Sequence, residues 1–130
     1  MRRRCFWFSV QPVAVMLAAL PAWAEPTLPA SPHPDLLRTY YDYGVAEYCG
    51  LVDAPVHNGF ALLRLDQLAR GHVGPTDEKA VRIMALRAVD DEYQDRGLSG
   101  QKTWCRTEGG DAVRRFTAYF RNRQLPPPSP

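Results

Sequence analysis

Asp35–Gly50 reads DLLRTYYDYGVAEYCG, and the fold class follows from it. Leu37, Tyr40, Tyr41, Gly44, Val45 and Tyr48 recur at three- and four-residue spacing, the period of one helical face. Asp35, directly after Pro34, offers an N-cap oxygen, and Gly50 offers the C-cap. The pattern predicts a helix from Asp35 to about Cys49. Its tyrosines cannot all share one face, because 40 and 43 diverge from 41 and 48 by part of a turn. Some ring surface is therefore expected in solvent, where tyrosine suits recognition.

Downstream, the same period recurs twice. A second helix is expected from Asp53, with Pro55 tolerated in the first turn and Val56, Phe60, Leu63 and Leu68 forming a stripe up to Arg70. Gly71 ends it, and breakers crowd the loop Gly71–Pro75. Thr76 is the expected cap of a third helix, with Asp77 and Glu78 suiting the positive end of its dipole. Ala80, Val81, Met84, Ala85, Ala88 and Val89 form its apolar face, and Gly97 closes it. Beyond, Trp104, Cys105, Ala112, Val113, Phe116, Tyr119 and Phe120 share one phase, interrupted by Gly109-Gly110. Two interior glycines cost roughly 2 kcal/mol relative to alanine. This favours a short helix over Gly100–Glu108 and a main one over Asp111–Asn122, a single kinked helix being the alternative. No stretch alternates with period two. The expectation is an all-α bundle of four or five helices.

The ends read differently. Arg2, Arg3 and Arg4 followed by the apolar run Val13–Leu20 and Ala22-Trp23-Ala24 have the three parts of a secretory signal peptide, cleaved after Ala24. An uncleaved anchor is the lesser reading, since Gln11-Pro12 interrupts the apolar run and leaves too little to cross a hydrocarbon core. Residues 25–34 form a proline-rich leader and 125–130 a proline-rich tail, both expected to be disordered around a helical domain at 35–124. With 130 residues in all, one small domain is the limit, which excludes a TIM barrel or a full dinucleotide-binding fold. The mature product is expected to be exported, periplasmic or secreted, with no stable membrane insertion.

Export shapes the cysteine and charge arithmetic. Cys5 leaves with the signal, so Cys49 and Cys105 remain as a pair in an oxidising compartment, which reads as a disulfide. Closing a loop of that length is worth roughly 4 kcal/mol in the chain-entropy model. Three of the 16 basic residues also leave, so 13 face 14 acidic residues and the mature net charge is −1. Residues 101–125 hold six basic and two acidic side chains, net +4, against net −5 for residues 25–100. A basic last helix could meet an anionic partner or pair with the acidic body; nucleic acid is not expected outside the cytoplasm.

Candidate chemistry is sparse. Asp53 and His57 are four apart on the second helix, where a carboxylate could orient an imidazole, with Glu47 as a possible third member. The plainer reading makes Asp53 an N-cap beside a half-exposed histidine. His33, His57 and His72 lack the tight spacing of a metal site, CxxC and CxxCH are absent, and no cofactor is expected. In Trp104-Cys105-Arg106-Thr107-Glu108-Gly109, the indole is expected to cover the disulfide, with Arg106 or Glu108 facing outward. The preferred reading is a non-catalytic binding module for another protein or an envelope component, of accessory, inhibitor or immunity-like type. Its expected surface combines Tyr40, Tyr41 or Tyr43 with Arg114, Arg115 or Arg121. A small hydrolase using Asp53 and His57, or a carrier of a small ligand or metal in the bundle, are the alternatives.

Overall fold

A computed structural model describes residues 26–127. The expected signal segment 1–24, Glu25 and the last residues of the expected tail, 128–130, lie outside the described residues. Among the described residues the chain is helical without strands: α1 (Pro34–Tyr48), α2 (Ala54–Gly71), α3 (Pro75–Trp104), a π-helical turn (Cys105–Gly109) and α4 (Gly110–Asn122). The last three follow one another without an intervening loop, with a kink inside α3 at Gly97. The expected four or five helices are therefore three helical stretches.

Each helix starts where its proline allows. Pro34, Pro55 and Pro75 stand at the first or second helical position, where the missing N–H has no intrahelical partner to lose. Pro34 draws the start of α1 ahead of the expected cap, leaving Asp35 inside the first turn. Pro75 does the same to Thr76, with Gly74 as the cap residue of α3. Asp53 does cap α2: its Oδ1 accepts the Val56 N–H at 2.9 Å. At the end of α1, Gly50 takes a left-handed conformation (φ +65°). Its N–H reaches Glu47 O and the Leu51 N–H reaches Ala46 O, the paired bonds of a Schellman termination. α2 ends the same way, but His72 rather than glycine sits at the left-handed position (φ 48°).

Gly97 leaves helical backbone (φ 63°, ψ 177°) and turns the chain back on itself. Tyr93 consequently meets Trp104, with ring centroids 6.3 Å apart, and Arg96 reaches Glu108. The glycine acts as the break expected of it, yet a helix resumes at once. At Gly109-Gly110, by contrast, the expected break does not occur, and the chain passes through a π-helical turn into α4. The reason is packing. A Cβ on Gly109 would lie 3.0 Å from Leu51 Cδ1 and 3.3 Å from Cys49 Sγ, so glycine lets the end of α1 press onto this turn. The expected Cys49–Cys105 disulfide forms there, with Cα atoms 5.4 Å apart.

α1 lies between two apolar clusters. Leu36, Leu37, Tyr41 and Val45 pack with Val81, Ala85 and Val89 of α3 and with Trp104. Leu28, ahead of α1, reaches this same cluster. Ala46 packs with Val56 and Leu63 of α2 and with Ala112, Phe116 and Tyr119 of α4. Burying one such large side chain contributes about 1.5–3 kcal/mol. α2 and α4 approach most closely at Gly59, where an added Cβ would meet the Phe116 carbonyl oxygen at 1.9 Å.

Candidate functional site

Three stripes at helical spacing converge on one groove of about 520 Å³. α1 contributes Tyr40, Tyr43 and Glu47; α2 contributes His57, Phe60, Ala61 and Arg64; α3 contributes Glu78, Lys79, Arg82 and Leu86, with Pro75 at its start. α1 and α3 run in the same direction, since Tyr40 meets Glu78 and Tyr48 meets Asp90. α2 runs against them, since Tyr40 meets Arg64 and Tyr43 meets His57.

One end of the groove is closed by a polar triad. The Tyr40 hydroxyl donates to Glu78 Oε1 at 2.6 Å, and Arg64 Nε donates to Tyr40 Oη at 2.8 Å and to Glu78 Oε1 at 2.5 Å. Half-burial, and then the bond to Glu78, push the Tyr40 phenol above its ordinary value. The middle is aromatic: Tyr43 stacks on Phe60 with centroids 3.9 Å apart, and Tyr40 meets Phe60 edge-on at 5.5 Å. At the open end the Tyr43 hydroxyl and His57 Nδ1 are 2.9 Å apart, and Tyr43 titrates above its usual value through burial and then the Glu47 charge. Leu86 lies there 40% exposed. Lys79 and Arg82, three apart on α3, have no ion pair or hydrogen bond among the described residues.

A second set of buried charges has a structural role. Asp42, 3% exposed, is held by Arg38 at 2.7 Å and by Arg115 from α4. Burial raises its carboxyl above the ordinary range, and the two guanidiniums pull the other way. Glu108, in the π-helical turn, accepts from Tyr41 Oη at 2.9 Å and from Trp104 Nε1 at 2.7 Å, and Arg96 lies over the indole ring. Burial, then the Glu108 charge, raise the Tyr41 phenol.

The expected binding surface is therefore divided. Tyr40 and Tyr43 line the groove. Tyr41 is fully buried, one helical step away, and belongs to the core. Arg115 is committed to Asp42, and Arg114 contacts Asp111 and the Pro127 carbonyl. Arg121 is exposed on α4, which does not line the groove. Arg106 faces solvent as expected, but Glu108 turns inward, because the buried indole N–H and phenol O–H require an acceptor.

Nor do Asp53 and His57 pair. The aspartate is turned to Val56 N–H, and the imidazole takes Tyr43 as its partner. Glu47 does line the groove beside His57. No group of three His, Cys, Asp or Glu gathers to hold a metal among the described residues, and His33 and His72 stand at helix ends. No described helix is long and apolar enough to cross a membrane. Sequence reasoning missed Arg64, Glu78, Lys79, Arg82 and Leu86 as groove residues. A signal was present: Leu86 is an apolar residue on the same polar stripe as Lys79 and Arg82. Comparison finds no family model, no curated protein and no solved structure that matches the chain.

Proposed function

We propose that this chain is an exported, disulfide-stapled helical protein that works by binding another protein or envelope component through the groove between α1, α2 and α3. The observation that carries the reading is a solvent-open aromatic stack, Tyr43 on Phe60, flanked by exposed Leu86 and by Lys79 and Arg82, which form no ion pair among the described residues. Aromatic and arginine side chains on a concave surface are what recognition sites concentrate. The disulfide is compatible with export, and its loop encloses α2 and α3 and closes on Cys49, the residue that follows α1. The ion pairs Arg115–Asp42 and Arg123–Asp66 tie the basic last helix to the acidic body, which leaves the groove as the better recognition face.

A photo-reactive amino acid at position 86, in the full chain produced by its own host, tests the reading. A defined protein adduct at position 86 that position 121 does not give is the expected result, together with an intact mass that begins at Glu25. Equal labelling at both positions, or a product that keeps Met1 in the cytosol, overturns it.

A hydrolase reading draws on the Tyr43–His57 hydrogen bond at the groove, which leaves Nε2 unprotonated in one tautomer. It requires activity that disappears in His57→Ala while the fold remains.

A further inference from the structure

We infer that the groove takes an acidic peptide segment carrying one large apolar side chain, contributed by the binding partner; this rests on the binding reading above. Charge distribution and shape carry the argument. Lys79 and Arg82 project from one face of α3, and neither forms an ion pair among the described residues; Glu78, the neighbouring acid, is engaged by Arg64 and Tyr40. Arg64 is different: Glu78 and Tyr40 already satisfy it, so it closes the groove without recognising a ligand. Helical rise is 1.5 Å per residue, which puts Arg82 about 6 Å beyond Glu78, level with the Tyr43–Phe60 stack. An acidic group reaching Lys79 and Arg82 would thus sit beside the place where an apolar side chain can cover the stacked rings and Leu86.

The middle helix sharpens this. Glu47 on α1, which lies between α2 and α3, carries the opposite sign, so the groove is not uniformly basic. A uniformly anionic surface would meet repulsion at Glu47, whereas a peptide can present its acid toward α3 and turn its backbone or a basic residue toward α1. Concavity points the same way. A lipid surface is met by a convex amphipathic face, whereas here the apolar rings are recessed between three helices. The volume, about 520 Å³, falls in the range of roughly 300–1,000 Å³ typical of sites that enclose a small ligand or a few side chains.

Fluorescence anisotropy with the disulfide-intact protein from residue 25 onward tests the inference, using labelled synthetic decapeptides and phosphatidylglycerol vesicles. One peptide carries four glutamates around a central phenylalanine; a second replaces the phenylalanine by serine; a third replaces the glutamates by lysine. Saturable binding of the first alone is expected. The Lys79→Glu/Arg82→Glu double variant should weaken that binding at least about 10-fold and shift preference to the lysine peptide, as reversed rim charges do. Leu86→Ser should weaken it without changing the charge preference. Both substitutions are at exposed positions, and an unchanged circular dichroism spectrum verifies the fold. Equal binding of the lysine and glutamate peptides, binding that survives the double charge reversal, or binding to vesicles alone overturns the inference. If the position-86 adduct forms in the host but the acidic peptide does not bind, this inference fails and the binding reading stands; if neither occurs, both fail.

Discussion

Replacing Gly59 by alanine sets two physical effects against each other. Judged by helix propensity alone, glycine inside α2 is a weakness, and alanine should stabilise by about 1 kcal/mol. Packing predicts the reverse. The new Cβ would lie 1.9 Å from the Phe116 carbonyl oxygen and 2.6 Å from its carbon, so it meets backbone, which cannot rotate away. α2 and α4 would have to separate, loosening the cluster of Val56, Leu63, Ala112 and Phe116. Overpacking of this kind costs typically 1–3 kcal/mol, and a backbone oxygen at 1.9 Å puts the cost at the top of that range; less the propensity gain, Gly59→Ala should lose about 2 kcal/mol net, lowering Tm by about 8–16 °C. Gly110→Ala is the matched control, because Gly110 is helical and nothing lies within 4 Å of its would-be Cβ. It should gain the propensity term, raising Tm by about 4–8 °C. Urea titration of both variants, disulfide intact, gives the free energies. A neutral or stabilised Gly59→Ala protein would refute the close approach of the two helices.

Other perturbations address other parts of the molecule. Cys49→Ser/Cys105→Ser should cost roughly 4 kcal/mol by freeing the 56-residue separation in the unfolded chain, read as a drop in the urea midpoint that reductant does not deepen. Arg115→Met removes one of two cations from buried Asp42 and should cost about 3 kcal/mol near neutral pH. The Asp42 carboxyl already titrates above its unfolded value, so the folded state binds the proton more tightly and stability from this group rises as pH falls through that window. Without Arg115 the carboxyl should titrate higher still, and the deficit should shrink on acidification; a deficit independent of pH would rule this out. His72→Gly should stabilise by about 1 kcal/mol, since the left-handed position at the end of α2 penalises a Cβ, and thermal unfolding measures it.

Residues whose role is set within one or two turns of chain were legible in the sequence. The stripes of α1, α2 and α3 follow from three- and four-residue spacing, Asp53 was recognisable as a cap, and Cys49 and Cys105 were the one pair left once Cys5 is set aside with the expected signal. Other features depended on what meets across the fold. Gly109 is a breaker by propensity, and only the approach of Leu51 and Cys49 makes its missing side chain an advantage. Glu108 is charged and would be placed outside, until Tyr41 and Trp104 bring buried donors to it. The tyrosines show the boundary most clearly. Helical geometry said that 40 and 43 must part from 41, but which face would be the core depended on α3 packing on one side of α1 and α2 on the other. The groove residues lie on three helices, and no spacing within one helix could join them.

The turn at Gly97 carries one further consequence. Leu98 is 86% exposed beside it, and Cys49 and Cys105 lie on opposite sides of this corner in the chain. Protruding corners of this kind are where proteases enter. A single nick there would yield a two-chain molecule, its halves still covalently joined through sulfur, that migrates as one species on a denaturing gel and as two once reduced.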